Sequence, residues 1–214
     1  MRSVIQIEDG DRRLLAQIAE AMAEAARRSG AWLACRPGCT QCCIGPFAIT
    51  ALDAWRLRRG LAELEMTDPD RAKRVRERAA SYVEAMAPFY PGDPVSGELQ
   101  DEDALPASMD SVACPALDPD TGLCDLYDAR PITCRTFGPV TRVGEEDFGA
   151  CELCYQGVSD EEKIRCAVEV DPEGLECALL ATLAEGGAGG MTIVAYALMS
   201  GLWGREETTS ATRA

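Results

Sequence analysis

The chain has 214 residues, with 36 acidic and 21 basic side chains for a formal charge of −15, eleven cysteines and no histidine. A chain of this length buries a core without cysteine staples. The charge argues against a basic nucleic-acid surface and against docking on anionic lipid, and the lack of histidine excludes any nucleophile–histidine pair.

The opening "MRSVIQIEDG" lacks the apolar core of a secretory signal. The longest apolar run, residues 191–203, is too short to span a bilayer. A cytoplasmic location is therefore expected. There thiols stay reduced, and clustered cysteines serve as metal ligands rather than as disulfides.

Residues 11–29 predict an amphipathic helix, with Leu14, Leu15, Ile18, Met22 and Ala25 at helical spacing and Gly30 as the residue that ends it. The stretch "CRPGCTQCC" follows at 35–43. "ALDAWRLRRGLAEL" then predicts a helix capped by Thr50. "DPDRAKRVRERAASYVEAM" predicts another, with Asp68 as cap and Pro69 in the first position. The pair reads as a helical hairpin over 50–87, inserted between two cysteine groups, with the dense charge of its second helix on a solvated face. Residues 88–112 are rich in Pro, Gly and Asp and predict loop. Residues 113–158 carry the second cysteine group among turn residues.

Beyond it, Ser159 and Glu162 form a capping box before a short helix. Asp171 and Pro172 start another, "PEGLECALLATLAE". "GGAGG" at 186–190 is a joint, and the apolar segment after it fits a buried strand or a helix equally. No internal repeat is present. The expectation is one domain over residues 1–204, mainly α with little β. Its loop-rich, irregular cysteine-cluster metal core would lie over 31–49 and 113–158, with C-terminal helices over 159–204. Residues 205–214 are expected to be a disordered tail.

The first cysteine group is Cys35, Cys39, Cys42 and Cys43. Two residues between Cys39 and Cys42 let one tight turn aim both sulfurs at one metal, and Gly38 supplies a positive φ for that turn. Adjacent side chains diverge, so Cys42 and Cys43 are expected on different centres, or on different irons of one cluster. Cys114, Cys124 and Cys134 follow at even intervals, and "CELC" adds Cys151 and Cys154. The two groups are expected to meet in space.

Without histidine, a metal site here is all-thiolate or completed by carboxylate. Thiolates select zinc, Cu(I) and iron–sulfur clusters, not Mg²⁺ or Ca²⁺. A four-cysteine zinc site usually shows two close pairs. The wide intervals of the second group suit a larger cluster, so an iron–sulfur centre, [4Fe–4S] in type, is expected, with zinc as the alternative. Cys35, Cys39 and Cys42 also match the three-cysteine radical-SAM spacing, but the chain is too short to add the barrel that chemistry uses. Cys166 and Cys177 stand among apolar helical neighbours and read as buried structural thiols.

The succession of "CRPGCTQCC", "CPALD" and "CDLYDARPITCRTF" resembles the YkgJ-type CxxCxxCC family, a cysteine-cluster domain described as zinc- or iron-chelating. The resemblance runs from Cys35 to about Cys154. It implies metal ligation by Cys35, Cys39, Cys42, Cys43, Cys114, Cys124, Cys134 and one of Cys151 and Cys154. Two departures stand out: three residues rather than two separate Cys35 from Cys39, and two downstream cysteines stand where one is expected. Eight thiolates suffice for two tetrathiolate centres. A related domain in flagellin lysine N-methylases implies methyl transfer, but no glycine-rich adenosine-cofactor loop is recognisable here.

The reading is thus a cytoplasmic metal-binding protein with an iron–sulfur centre in a redox or enzymatic role. The alternatives are a zinc-binding structural or interaction domain and a metal-handling protein. Its expected partners are metal ions, with no nucleic acid and no membrane; enzyme status stays open. Arg36, Arg130 and Arg135 flank ligand positions, either as donors to an anionic centre or as ordinary ion-pair residues. Tyr127 and Phe137 either shield the centre or pack the loop.

Overall fold

Helix α1 (Arg2–Ser29) starts well before the expected residue 11. The reason is that Ile7 shares the buried face of Leu14, Ile18 and Ala25, so the apolar stripe extends by two turns. Gly10 lies where α6 (Leu175–Glu185) crosses. A β-carbon there would stand 2.6 Å from Leu179 Cδ2, so the bare backbone lets the two helices close. Gly30 ends α1 with φ +52°, as its position implied. The computed structural model describes residues 2–36, 38–144 and 146–199; the expected tail at 205–214 lies outside them.

After strand β1 (Ala48–Thr50), helices α2 (Ala51–Thr67) and α3 (Pro69–Met86) form the expected hairpin. Thr50 caps α2 by accepting the Asp53 N–H at 3.3 Å, and Asp68 caps α3 by accepting the Arg71 N–H at 3.0 Å. The stretch 88–112 is not wholly loop. It holds the short antiparallel strands β2 (Gly92–Asp93) and β3 (Glu98–Leu99). Helix α4 (Ile132–Thr136) carries Cys134. Strand β4 (Thr141–Val143) pairs antiparallel with β5 (Glu146–Phe148) and parallel with β6 (Val168–Glu169), giving the order β5-β4-β6.

The capping box of Ser159 and Glu162 opens α5 (Asp160–Cys166) as expected. Helix α6 begins at Leu175, later than its sequence pattern. Asp171 instead accepts the N–H groups of Leu175 and Glu176 across a turn in which Gly174 has φ +64°. The ambiguous segment after "GGAGG" is both things in turn: strand β7 (Met191–Ile193), then helix α7 (Val194–Ala197). β7 pairs antiparallel with β1 and β3, completing a sheet of order β1-β7-β3-β2.

The main core joins α1, α2, α3, α6 and α7 through Leu14, Ile18, Leu52, Leu57, Val75, Leu179 and Leu198. A second cluster lies by the four-stranded sheet, around Tyr90, Met86, Ile193 and Tyr196. The protein is mainly α with small sheets. Among the described residues no helix is long and apolar enough to cross a membrane.

Candidate metal centre

Short-range hydrogen bonds shape the first cysteine stretch. The Cys39 N–H donates to the Arg36 carbonyl at 2.9 Å, and the Cys43 N–H to the Thr40 carbonyl at 2.8 Å, within the turn Gln41–Cys43. The chain then pairs with the second cysteine region. Ile44 bridges Ala113, the Cys114 N–H donates to the Cys43 carbonyl at 2.7 Å, and the Gly45 N–H to the Val112 carbonyl at 2.9 Å. Backbone pairing therefore brings the two groups together. A tight hairpin, with Leu117 opposite Cys124 and Gly122 at φ +68°, returns Cys124 beside Cys114. The third segment arrives through Cys151, whose N–H donates to the Gly138 carbonyl at 3.1 Å. Gln41 also donates to the Glu152 carboxylate at 2.9 Å, which ties the first stretch to "CELC".

Eight of the nine candidate cysteines line one cavity of about 480 Å³: Cys35, Cys39, Cys42, Cys43, Cys114, Cys124, Cys134 and Cys151. Cys154 joins them through a side-chain contact with Cys35. The thiols divide into two neighbourhoods. Burial pushes the Cys35 thiol up to about 12, and the charges of Cys154, Cys39 and Cys151 add to the rise. Cys151 is raised by burial and by Cys154 and Cys39. The second neighbourhood is Cys42, Cys43, Cys114, Cys124 and Cys134. Burial raises Cys114 to about 12, and raises Cys124 and Cys134, with Cys42 contributing to each. Cys42 is pulled down to about 6, first by its hydrogen bond with Cys43, whose own thiol is pushed up by the same bond.

Cys42 and Cys43 share one neighbourhood, because the turn that holds them lets the two sulfurs meet; that accords with the expected alternative of different irons of one cluster. Cys39 is near enough to Cys35 and Cys151 to raise both thiols, while Cys42 bonds Cys43, and all of them line the same cavity. Cys151 and Cys154 both stand near Cys35.

A buried ionic frame supports α4. Arg56 of α2 donates from Nη2 to Asp11 of α1 at 2.5 Å and from Nη1 to Asp53 at 2.6 Å. Asp53 also accepts the Ile132 N–H at 3.0 Å, at the start of the helix that carries Cys134. Burial raises the Asp53 carboxyl more than Arg56 lowers it. Beside Cys124, Asp125 takes Arg71 and Arg78 of α3, both at 2.5 Å, and Arg78 also donates to the Pro115 carbonyl at 2.8 Å. The charge of α3 is thus not all solvated, because two of its arginines clamp the cysteine hairpin. Sequence reasoning missed Asp11, Asp53 and Arg56. The readable signal was an acid and a base one turn apart on the apolar stripe of Leu52, Leu57 and Leu61.

The flanking residues separate by role. Arg36 is exposed, donates to the Ala34 carbonyl at 3.4 Å and lines the thiol cavity. Arg135 donates to the carbonyls of Arg130 and Asp128 and so braces the preceding turn. Arg130 lies on the face of Tyr127, 3.8 Å from the ring centroid, and lines the thiol cavity. Tyr127 and Phe137 stand partly exposed at the mouth. Cys166 is buried and donates its thiol to the Arg28 carbonyl at 3.6 Å, as a structural thiol should. Cys177 is exposed, contrary to expectation. Leu179 and Leu183 take the inward face of α6, and position 177 falls on the outward one.

Among the described residues no three Cys, Asp or Glu side chains stand as a ready-made chelate; the sulfurs line the cavity wall. The donor set nevertheless fits a thiophilic metal, being all sulfur, in close pairs, with a guanidinium facing the same space. A family model described as "CxxCxxCC: Putative zinc- or iron-chelating domain" matches residues 34–154, more than half of the chain. No curated protein and no solved structure matches it.

Proposed function

Because the chain belongs to the CxxCxxCC family of zinc- or iron-chelating domains, we propose that it holds metal on two thiolate centres. One centre uses Cys35, Cys39, Cys151 and Cys154. The other uses ligands drawn from Cys42, Cys43, Cys114, Cys124 and Cys134. The observation that carries this reading is the division of nine thiols around one cavity into two neighbourhoods.

Five sulfurs in the second neighbourhood are enough for the four that either a tetrahedral zinc or a [4Fe–4S] cluster takes. The wide intervals between Cys114, Cys124 and Cys134, unlike the two close pairs usual for zinc, support iron–sulfur clusters, [4Fe–4S] in type, with a redox or cluster-dependent role. When bound, such a cluster would supply one-electron chemistry. The protein's own part is to hold the thiolates, to shield them with Tyr127 and Phe137, and to set their charge environment. Eleven free cysteines accord with a reducing cytoplasm.

The second reading is structural zinc, favoured by the packing of Cys114 and Cys124 against the main core. Metal and acid-labile sulfide are measured on protein purified without oxygen. Iron with sulfide supports the cluster reading, and colourless protein with stoichiometric zinc supports the second. Cys39→Ser and Cys134→Ser should each lose about half of the metal, and the double variant all of it. If either single variant empties both centres, or neither does, the two-centre reading fails.

A further inference from the structure

Arg130 is a cation without an anion. Its Nε is buried and has no hydrogen-bond partner, and among the described residues no carboxylate pairs with it. Leaving a buried charged donor unmatched is costly, and the chain has 36 acidic residues from which a partner could come. The other inward-facing arginines do use them: Arg56 takes Asp11 and Asp53, and Arg71 and Arg78 take Asp125. Arg130 is nevertheless held firmly. Its carbonyl accepts from Arg135 Nε at 3.1 Å, and its guanidinium carbon stands over the Tyr127 ring, 3.8 Å from the centroid. The cavity it lines is walled by eight cysteines, and among them its charge acts on Cys42 and Cys124.

We propose that Arg130 is the counter-ion of the metal–thiolate centre of the Cys42 neighbourhood, its guanidinium donating to metal-bound sulfur. The inference rests on the reading of that neighbourhood as a metal site. It does not depend on which metal is bound. Four thiolates on a doubly charged zinc ion, or on a doubly charged iron–sulfur core, leave the same double negative charge. Arg130 is a positioning residue, acting on the ligands rather than ligating. Its planar fork, pre-set by Tyr127, matches a fixed anion better than a mobile ammonium would.

The test loads apo-protein with zinc and follows metal release to an excess of chelator, beside total metal content. Arg130→Gln should release the half of the metal held by the Cys42 neighbourhood about 10–100-fold faster than wild type, the range for loss of an outer-shell partner. The other half should leave at the wild-type rate. Arg130→Lys should fall between the two, since it keeps charge but loses the fork; a purely structural role would give no such rescue. Arg12→Gln, at an exposed arginine of α1 paired with Asp9, should match wild type. Normal stoichiometry with wild-type release from Arg130→Gln overturns the inference alone, as does a lysine variant no better than glutamine. Wild type that takes up neither zinc nor, on anaerobic reconstitution with iron and sulfide, an iron–sulfur cluster overturns the two-centre reading and the inference with it; where only the cluster forms, the same release comparison is made on iron. If Arg130→Gln does not fold, Arg130→Lys carries the test, and release from it at the wild-type rate overturns the inference.

Discussion

Asp53 and Ile132, 79 residues apart, are joined by a 3.0 Å hydrogen bond from the Ile132 backbone to the Asp53 carboxylate. The bond fixes the first turn of the helix that carries Cys134 to the centre of α2. The same carboxylate takes Arg56, which in turn reaches Asp11 on α1. One buried side chain thus couples the helical core to the cysteine cavity.

Asp53→Ala should lower stability by about 3 kcal/mol, because it leaves Arg56 short of a partner and the Ile132 N–H without an acceptor. Asp53→Asn keeps an acceptor for Ile132 and should cost less. Urea unfolding of the three proteins, followed by far-UV circular dichroism, checks the order. Equal stability of the alanine variant and wild type would refute the coupling role.

Gly138 sits at φ +128°, and a β-carbon there would come 2.6 Å from the Cys35 sulfur. Gly138→Ala should strain the backbone by about 1–3 kcal/mol and push Cys35 away from Cys154. Metal held by the Cys35 neighbourhood should fall, while that of the Cys42 neighbourhood stays. Metal analysis of Gly138→Ala in the Cys134→Ser background isolates the first centre; undiminished metal there would contradict the assignment of Cys35.

Cys177 is exposed and Cys166 buried. In native metal-loaded protein, maleimide should label Cys177 quickly and leave Cys166 unmodified until the fold opens. Mass spectrometry of tryptic peptides after a short pulse reads both. Cys166→Ser and Cys177→Ser should each keep the full metal content.

Glu176 is raised from its ordinary 4.5 to about 7, first by burial and then by the charge of Asp53. A carboxyl whose folded pKa lies above its unfolded one binds more proton in the folded state. Its contribution is therefore fully present below pH 4.5 and is lost as pH rises through 7. Wild type should lose stability between pH 5 and 8 relative to Glu176→Gln, by at most about 3 kcal/mol at about 1.4 kcal/mol per pKa unit. Parallel pH curves for the two proteins would show that Glu176 does not titrate in this window.

The sequence by itself determined the features that depend on near neighbours. Thr50, Asp68 with Pro69, and Ser159 with Glu162 set helix starts through hydrogen bonds within one turn, and the folded chain keeps all three. The spacing of the cysteines and the lack of histidine limited the chemistry to thiolate ligation before any fold was known.

Tertiary structure decided which thiols stand together. That choice depends on the Cys43–Cys114 backbone pairing, on the approach of "CELC" to Cys35, and on Asp53 holding α4, all contacts between distant segments. Local reasoning therefore left Cys42 and Cys43 between different centres and different irons of one cluster, where the fold joins the two thiols by a hydrogen bond. It buried Cys177 because an apolar neighbourhood in sequence does not tell which face of a helix meets the core. It left Arg130 among three equal arginines: all three line the thiol cavity, and only the folded chain shows that Arg130 does so with a buried, unpaired Nε.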